Sequence, residues 1–71
     1  MEMLNVQSTN LKSVGYDDNQ KFLYIEFKHG GKYKYLNVKK SIYDKLLVAD
    51  SKGKFFDQNI KKAGYKYSKV S

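Results

Sequence analysis

The sequence predicts a small α+β domain, an antiparallel sheet of three or four strands with two short helices packed on one face. Three observations lead there. Apolar and polar residues alternate through residues 22–28 and again through 32–38, on either side of a glycine pair. Apolar residues at helical spacing follow from Ile42 to Ala49. The chain has 71 residues and no cysteine, enough for one modest core with no disulfide to reinforce it. The chain reads as a single domain over 1–71, with the core at about 11–64 and 65–71 as a last strand or a basic tail.

The elements follow in order. Residues 1–10 (MEMLNVQSTN) have no period and read as a lead-in, opening with an acid rather than the basic start of a signal peptide. Residues 11–16 (LKSVGY) form a weak first strand, stopped by the turn formers Asp17, Asp18 and Asn19. Residues 22–28 (FLYIEFK) form the clearest strand, with Leu23, Ile25 and Phe27 on one face and Tyr24, Glu26 and Lys28 on the other. A three-residue loop over His29-Gly30-Gly31 pairs Phe27 with Tyr33 and Ile25 with Tyr35, keeping all four on the apolar face. The opposite face then pairs Lys28 with Lys32, Glu26 with Lys34 and Tyr24 with Leu36. Phe22 and Val38 also fall there, which is more apolar than a plain solvent face. Ser41 and Asp44 have capping-box spacing, so a helix is expected over 42–50. A second short helix, with Phe56, Ile60 and Ala63 on one stripe, runs from an N-cap at Ser51 to a stop at Gly64.

With these segments placed, the chain resembles the KTSC domain, a family found at the C-terminus of some lysyl-tRNA synthetases and as small stand-alone bacterial and phage proteins. Leu11 with Val14-Gly15-Tyr16-Asp17 matches its opening segment, and Leu23, Ile25, Phe27, Gly31, Tyr33 and Tyr35 match its strand pair with the Y-x-Y signature. Val38, Tyr43, Leu46 and Ala49 resemble its helix, and Ser51, Gly53, Phe55-Phe56 and Ile60 its S-x-G-x-[YF]-F segment. Two residues depart from the pattern: Lys39 stands where many members have proline, and Asp57 where asparagine is common. The resemblance implies the same α+β fold and, as function, a suggestion of RNA contact.

Charge and chemistry narrow the function classes. Fourteen lysines against seven acids give a net charge of +7, with no arginine. Residues 1–27 carry −2 (two lysines, four acids) and residues 28–71 carry +9 (twelve lysines, three acids). That asymmetry fits an anionic partner, and equally a solvated lysine-rich surface. Lysine without arginine favours phosphate contact over base-specific readout. Eleven aromatics, seven Tyr and four Phe, add rings on which unpaired bases stack. The register makes Tyr33 and Tyr35 core residues; exposed, they would be stacking rings. The candidate nucleic-acid-binding residues are Tyr24, Lys28, Lys32 and Lys34 on the outer hairpin face, with Lys39 and Lys40 beside them. Lys61, Lys62 and Lys66 form a second basic group that reads as the polar side of a helix end.

No catalytic residue is expected. His29, the sole histidine, reads as a turn residue beside glycines, and no nucleophile motif surrounds any serine. Asp17-Asp18 lacks the spacing of a calcium loop, one histidine without cysteine is too few for zinc, and there is no phosphate-loop motif. The expectation is a non-enzymatic, cytoplasmic binding domain with no cofactor, no membrane span and no small-molecule substrate. Its partner is RNA contacted without base-specific readout, or alternatively a protein partner or a second copy of itself. Salt separates the two, since phosphate contacts weaken steeply with ionic strength and an apolar interface barely responds.

Overall fold

Five strands lie side by side in one sheet, each antiparallel to its neighbours, in the order β1-β2-β3-β4-β5. The computed structural model describes residues 2–70. It runs through β1 (Met3–Asn5), β2 (Leu11–Asp17), β3 (Phe22–Phe27), β4 (Lys32–Tyr35), α1 (Lys40–Val48), α2 (Lys52–Phe56), a single π-helical turn (Asp57–Lys61) and β5 (Tyr67–Lys69). The α+β architecture is the one the alternation predicts, with a strand more at the N-terminal edge. β1 pairs Met3 with Gly15 and Asn5 with Ser13. It was invisible in the lead-in because three residues are too few to show a period. Within the 65–71 segment Tyr67–Lys69 form a strand, with Tyr67 opposite Tyr35; Ser71 lies outside the described residues.

The turn between β2 and β3 is organised by Asp17, whose Oδ1 accepts from the backbone N–H groups of Asn19 at 3.0 Å and Gln20 at 3.2 Å. The β3–β4 hairpin corrects the expected register. Ile25 pairs with Tyr33, Leu23 with Tyr35, Tyr24 with Lys34 and Glu26 with Lys32. The three-residue loop is Lys28-His29-Gly30: Gly30 donates to the Phe27 carbonyl at 3.1 Å, and Phe27 donates to that of Gly31 at 3.0 Å. Gly30 and Gly31, at φ +111° and +90°, both take the positive φ that this turn requires. Moving the loop by one residue shifts the pairing by two, so every side chain keeps its face.

Beyond β4 the alternation fails for a backbone reason. Asn37 sits at φ +59° and turns the chain, so Val38 swings into the core rather than onto the outer face. There its N–H donates to the Lys21 carbonyl at 2.9 Å and its carbonyl accepts from the Tyr16 hydroxyl at 2.5 Å. With Val38 held, α1 starts at once, capped by Lys39 with no side-chain cap bond; the Ser41–Asp44 capping box does not form. Ser51 does cap α2, its hydroxyl accepting from Lys54 N–H at 3.3 Å. The π turn then brings Phe56 and Ile60 into the core together, while Ala63 falls in the following turn and is exposed. Gly64 ends the segment at φ +85°.

Leu11, Val14, Leu23, Ile25 and Tyr35 from the sheet close on Val38, Leu46, Phe56 and Ile60 from beyond it. The helices therefore cover one face of the sheet, and the parity of each strand leaves Tyr24, Lys32 and Lys34 on the other.

Candidate nucleic-acid interface

On the uncovered face, Tyr24 stands between Gly15 of β2 and Lys34 of β4. Lys32 is opposite Glu26, whose carboxylate accepts from the buried Ser13 hydroxyl at 2.8 Å. Phe22 meets Tyr24 edge-on at 6.4 Å between ring centroids, and the Lys34 ammonium lies 4.6 Å above the Phe22 ring. The structure thus brings Tyr24, Lys32 and Lys34 together and adds Phe22 as a stacking ring. Lys28 lies beyond one end of β3, in the hairpin turn. Lys39 and Lys40 lie at the other, at the head of α1, where Val38 is bonded to Lys21. The six residues of β3 separate the two ends by about 20 Å at about 3.3 Å per residue. The six candidates are one central cluster and two flanking points rather than a single patch.

A second site, which sequence reasoning missed, lies on the helix side. A cleft of about 530 Å³ opens between the inner face of β4 and β5 and the π turn. Tyr33, Tyr35, Tyr67 and Phe27 form its sheet wall, and Phe56, Asp57 and Lys61 face them. Its rings meet largely edge to face: Tyr33 with Tyr67 at 6.0 Å, Phe27 with Phe56 and Tyr35 with Phe56 at 5.5 Å. Tyr35 is buried, and its phenol is pushed up to about 12 by burial first and by the Tyr67 and Tyr33 hydroxyls second. Tyr33 is half-buried and Tyr67 exposed, so of the Y-x-Y signature Tyr35 is the core residue although both its tyrosines line the cleft. The loop before β2 lines the cleft through Asn10 because Gly53 has no side chain: a Cβ there would stand 3.3 Å from Asn10 Oδ1 and 3.5 Å from Ser8 Oγ. Asp57 faces the cleft with its Oδ2 3.4 Å from the Lys62 ammonium. The residues of this cleft come from four separate segments; Phe27, Tyr33, Tyr35, Gly53 and Phe56 stood among the family-like motifs, while Asn10, His29, Lys61 and Tyr67 carried no sequence signal for it.

Away from both sites, Tyr16 and Tyr43 stack at 5.4 Å, and burial raises both phenols above the usual value, with the acids Asp18, Asp17 and Asp44 adding to Tyr16. Among the described residues, no three His, Cys, Asp or Glu side chains converge as metal ligands, and no helix is long and apolar enough to cross a membrane.

The profile of the KTSC domain matches residues 7–67. An uncharacterized protein of Stutzerimonas stutzeri is 39% identical over 70 residues, covering 99% of each chain. A protein of Tsukamurella paurometabola is 34% identical over 59 residues, covering 83% of this chain and 88% of that one. The crystal structure of a KTSC domain protein from Yersinia pestis superposes with a TM-score of 0.93 at 34% identity, covering 99% of this chain and 97% of that one.

Proposed function

The chain belongs to the KTSC domain family, and from the face its sheet leaves uncovered we propose that it is a non-enzymatic cytoplasmic module that contacts single-stranded RNA without base-specific readout. The observation that carries this reading is the cluster of Phe22 and Tyr24 beside Lys32 and Lys34 on an open antiparallel sheet. Rings on a sheet offer stacking surfaces to unpaired bases, and lysines beside them meet the phosphates. Glu26 is the acid among them, and it is engaged by Ser13. The flanking Lys28, Lys39 and Lys40 extend the positive charge to both ends of β3.

Fluorescence anisotropy of a labelled single-stranded RNA tests the reading. Binding is expected in the micromolar range, falling about ten-fold or more between about 50 and 200 mM salt. Replacing Lys28, Lys32 and Lys34 together with Gln leaves the fold intact and lowers the slope of log K against log salt by about 2, the value for three phosphates on a single strand. Absence of binding at the lower salt, or binding indifferent to salt, overturns it.

Protein interaction or self-association is the competing reading, and the outer face supports it less than the alternation implied. Val38 is buried, Lys34 covers Phe22, and the exposed Leu4, opposite the core residue Val14, lies on the helix-side face rather than the outer one.

A further inference from the structure

The cleft on the helix side has no part in the lysine face. Its volume of about 530 Å³ falls in the roughly 300–1,000 Å³ range of small-ligand sites. A packed core would close over such rings, yet Tyr67 is 60% exposed. At the mouth, the exposed His29 stacks on Phe27 at 5.3 Å with the rings 9° from parallel, so the imidazole face turned away from Phe27 is open to another planar group.

The polar groups beside these rings specify the ligand further. Asn10 Oδ1 is taken by the Thr9 hydroxyl at 2.6 Å, while among the described residues its amide N–H groups have no partner. Asp57 offers carboxylate acceptors, and Lys61 an ammonium. A hydrocarbon needs none of these. A planar heterocycle with donors and acceptors around its edge uses the rings and the polar groups at once. The charge of the chain, +7, favours a ligand that carries phosphate.

We propose that this cleft binds a nucleobase, stacked on its aromatic wall with its polar edge toward Asn10 and Asp57. The base can come from a nucleic-acid strand or from a free nucleotide. The RNA reading, on which the choice of source rests, favours the strand. Lys28 and His29 are consecutive in the hairpin turn, so a strand whose phosphates follow the outer lysines reaches the cleft mouth by rounding that turn and places one unstacked base inside.

The test is a titration of the ¹⁵N-labelled protein with AMP, followed by amide chemical shifts, with N-acetyltyrosinamide as the control ring. RNA affinity is measured in parallel for wild type, His29→Ala and Tyr67→Leu. AMP is expected to move the amides of His29, Tyr33, Gly53 and Asp57 while those of Tyr24 and Lys34 move less. Both variants, at exposed positions that leave the fold intact, weaken RNA binding about five-fold or more at each salt concentration without changing the salt slope, because a stacked base and not a phosphate has been lost. If AMP moves the cleft amides but no RNA binds, the nucleobase site stands with a free nucleotide as its ligand and the RNA reading falls. If RNA binds, both variants bind it like wild type and AMP moves nothing in the cleft, the nucleobase site is overturned and the RNA reading stands. Stronger shifts with N-acetyltyrosinamide than with AMP also overturn it, making the cleft a pocket for an aromatic peptide side chain.

Discussion

Tyr35 carries two roles whose energies can be separated. Its ring is 6% exposed and meets Phe56 at 5.5 Å and Tyr67 at 5.3 Å, so Tyr35→Ala removes a core aromatic and is expected to cost about 3–5 kcal/mol in urea unfolding. An unchanged unfolding midpoint would contradict its place in the core. Its hydroxyl gives a pH signature. Burial raises the phenol from 10.0 to about 12, so the folded state favours the neutral form. The stabilisation is complete below pH 10 and is lost as pH rises toward 12, because the unfolded chain ionises this group first. Tyr35→Phe, which cannot ionise, is expected to lose less stability than wild type over that window. Parallel slopes for the two proteins between pH 10 and 12 would remove the cause. Tyr16 works differently, since its hydroxyl is committed to the Val38 carbonyl and thereby sets where α1 begins.

The start of α1 is the weakest local design in the chain. Lys39 occupies the N-cap with extended backbone at φ −70° and ψ 145°, makes no cap bond, and is followed by Lys40 at the end where the helix dipole disfavours cations. Lys39→Asp fits that backbone, supplies the acceptor and reverses the charge. It is expected to stabilise the protein by about 1 kcal/mol, read as a raised thermal midpoint. A lowered midpoint would mean that Lys39 is held by something other than the cap. The π turn after α2 is the element with the most consequence for the cleft. Its wider turn carries Asp57 and Lys61 to the cleft while Phe56 and Ile60 stay in the core.

Seventy-one residues give a stability of roughly 4–10 kcal/mol at about 0.05–0.15 kcal/mol per residue. Against that small sum stands a net charge of +7, with one ion pair among the described residues, Lys62–Asp57, on exposed side chains. Such a pair contributes little, and the remaining lysines repel one another. Adding salt from about 10 to 200 mM, which shortens the screening length from about 30 Å to under 10 Å, is expected to raise the thermal midpoint by a few degrees. A midpoint that falls with salt would mean that attractive pairs outweigh the repulsion. Under the proposed RNA contact the same addition is expected to weaken binding, so stability and affinity would move in opposite directions with ionic strength, a combination that an apolar interface does not produce.

Face assignment, the two central strands, both helices and the Ser51 cap were legible in the residues because each rests on local periodicity or on one side chain meeting its own backbone. Leu23, Ile25 and Tyr35 alternate, and alternation survives a two-residue slip of register, which is why their faces were right although the pairing of Ile25 with Tyr35 was not. β1, the inward turn of Val38 and the empty cap of α1 were not legible. β1 exists because β2 offers it an edge, and Val38 turns inward because Asn37 takes a left-handed conformation and Tyr16 and Lys21, distant in sequence, bind the next residue. The lysine face was legible as a charge pattern, but its division into a centre at Tyr24, Lys32 and Lys34 with separate ends at Lys28 and at Lys39 and Lys40 depends on where the strand ends lie. The cleft depends on tertiary structure altogether: Asn10, His29, Tyr67 and Asp57 share no local pattern, and only the meeting of β4, β5 and the π turn makes them neighbours.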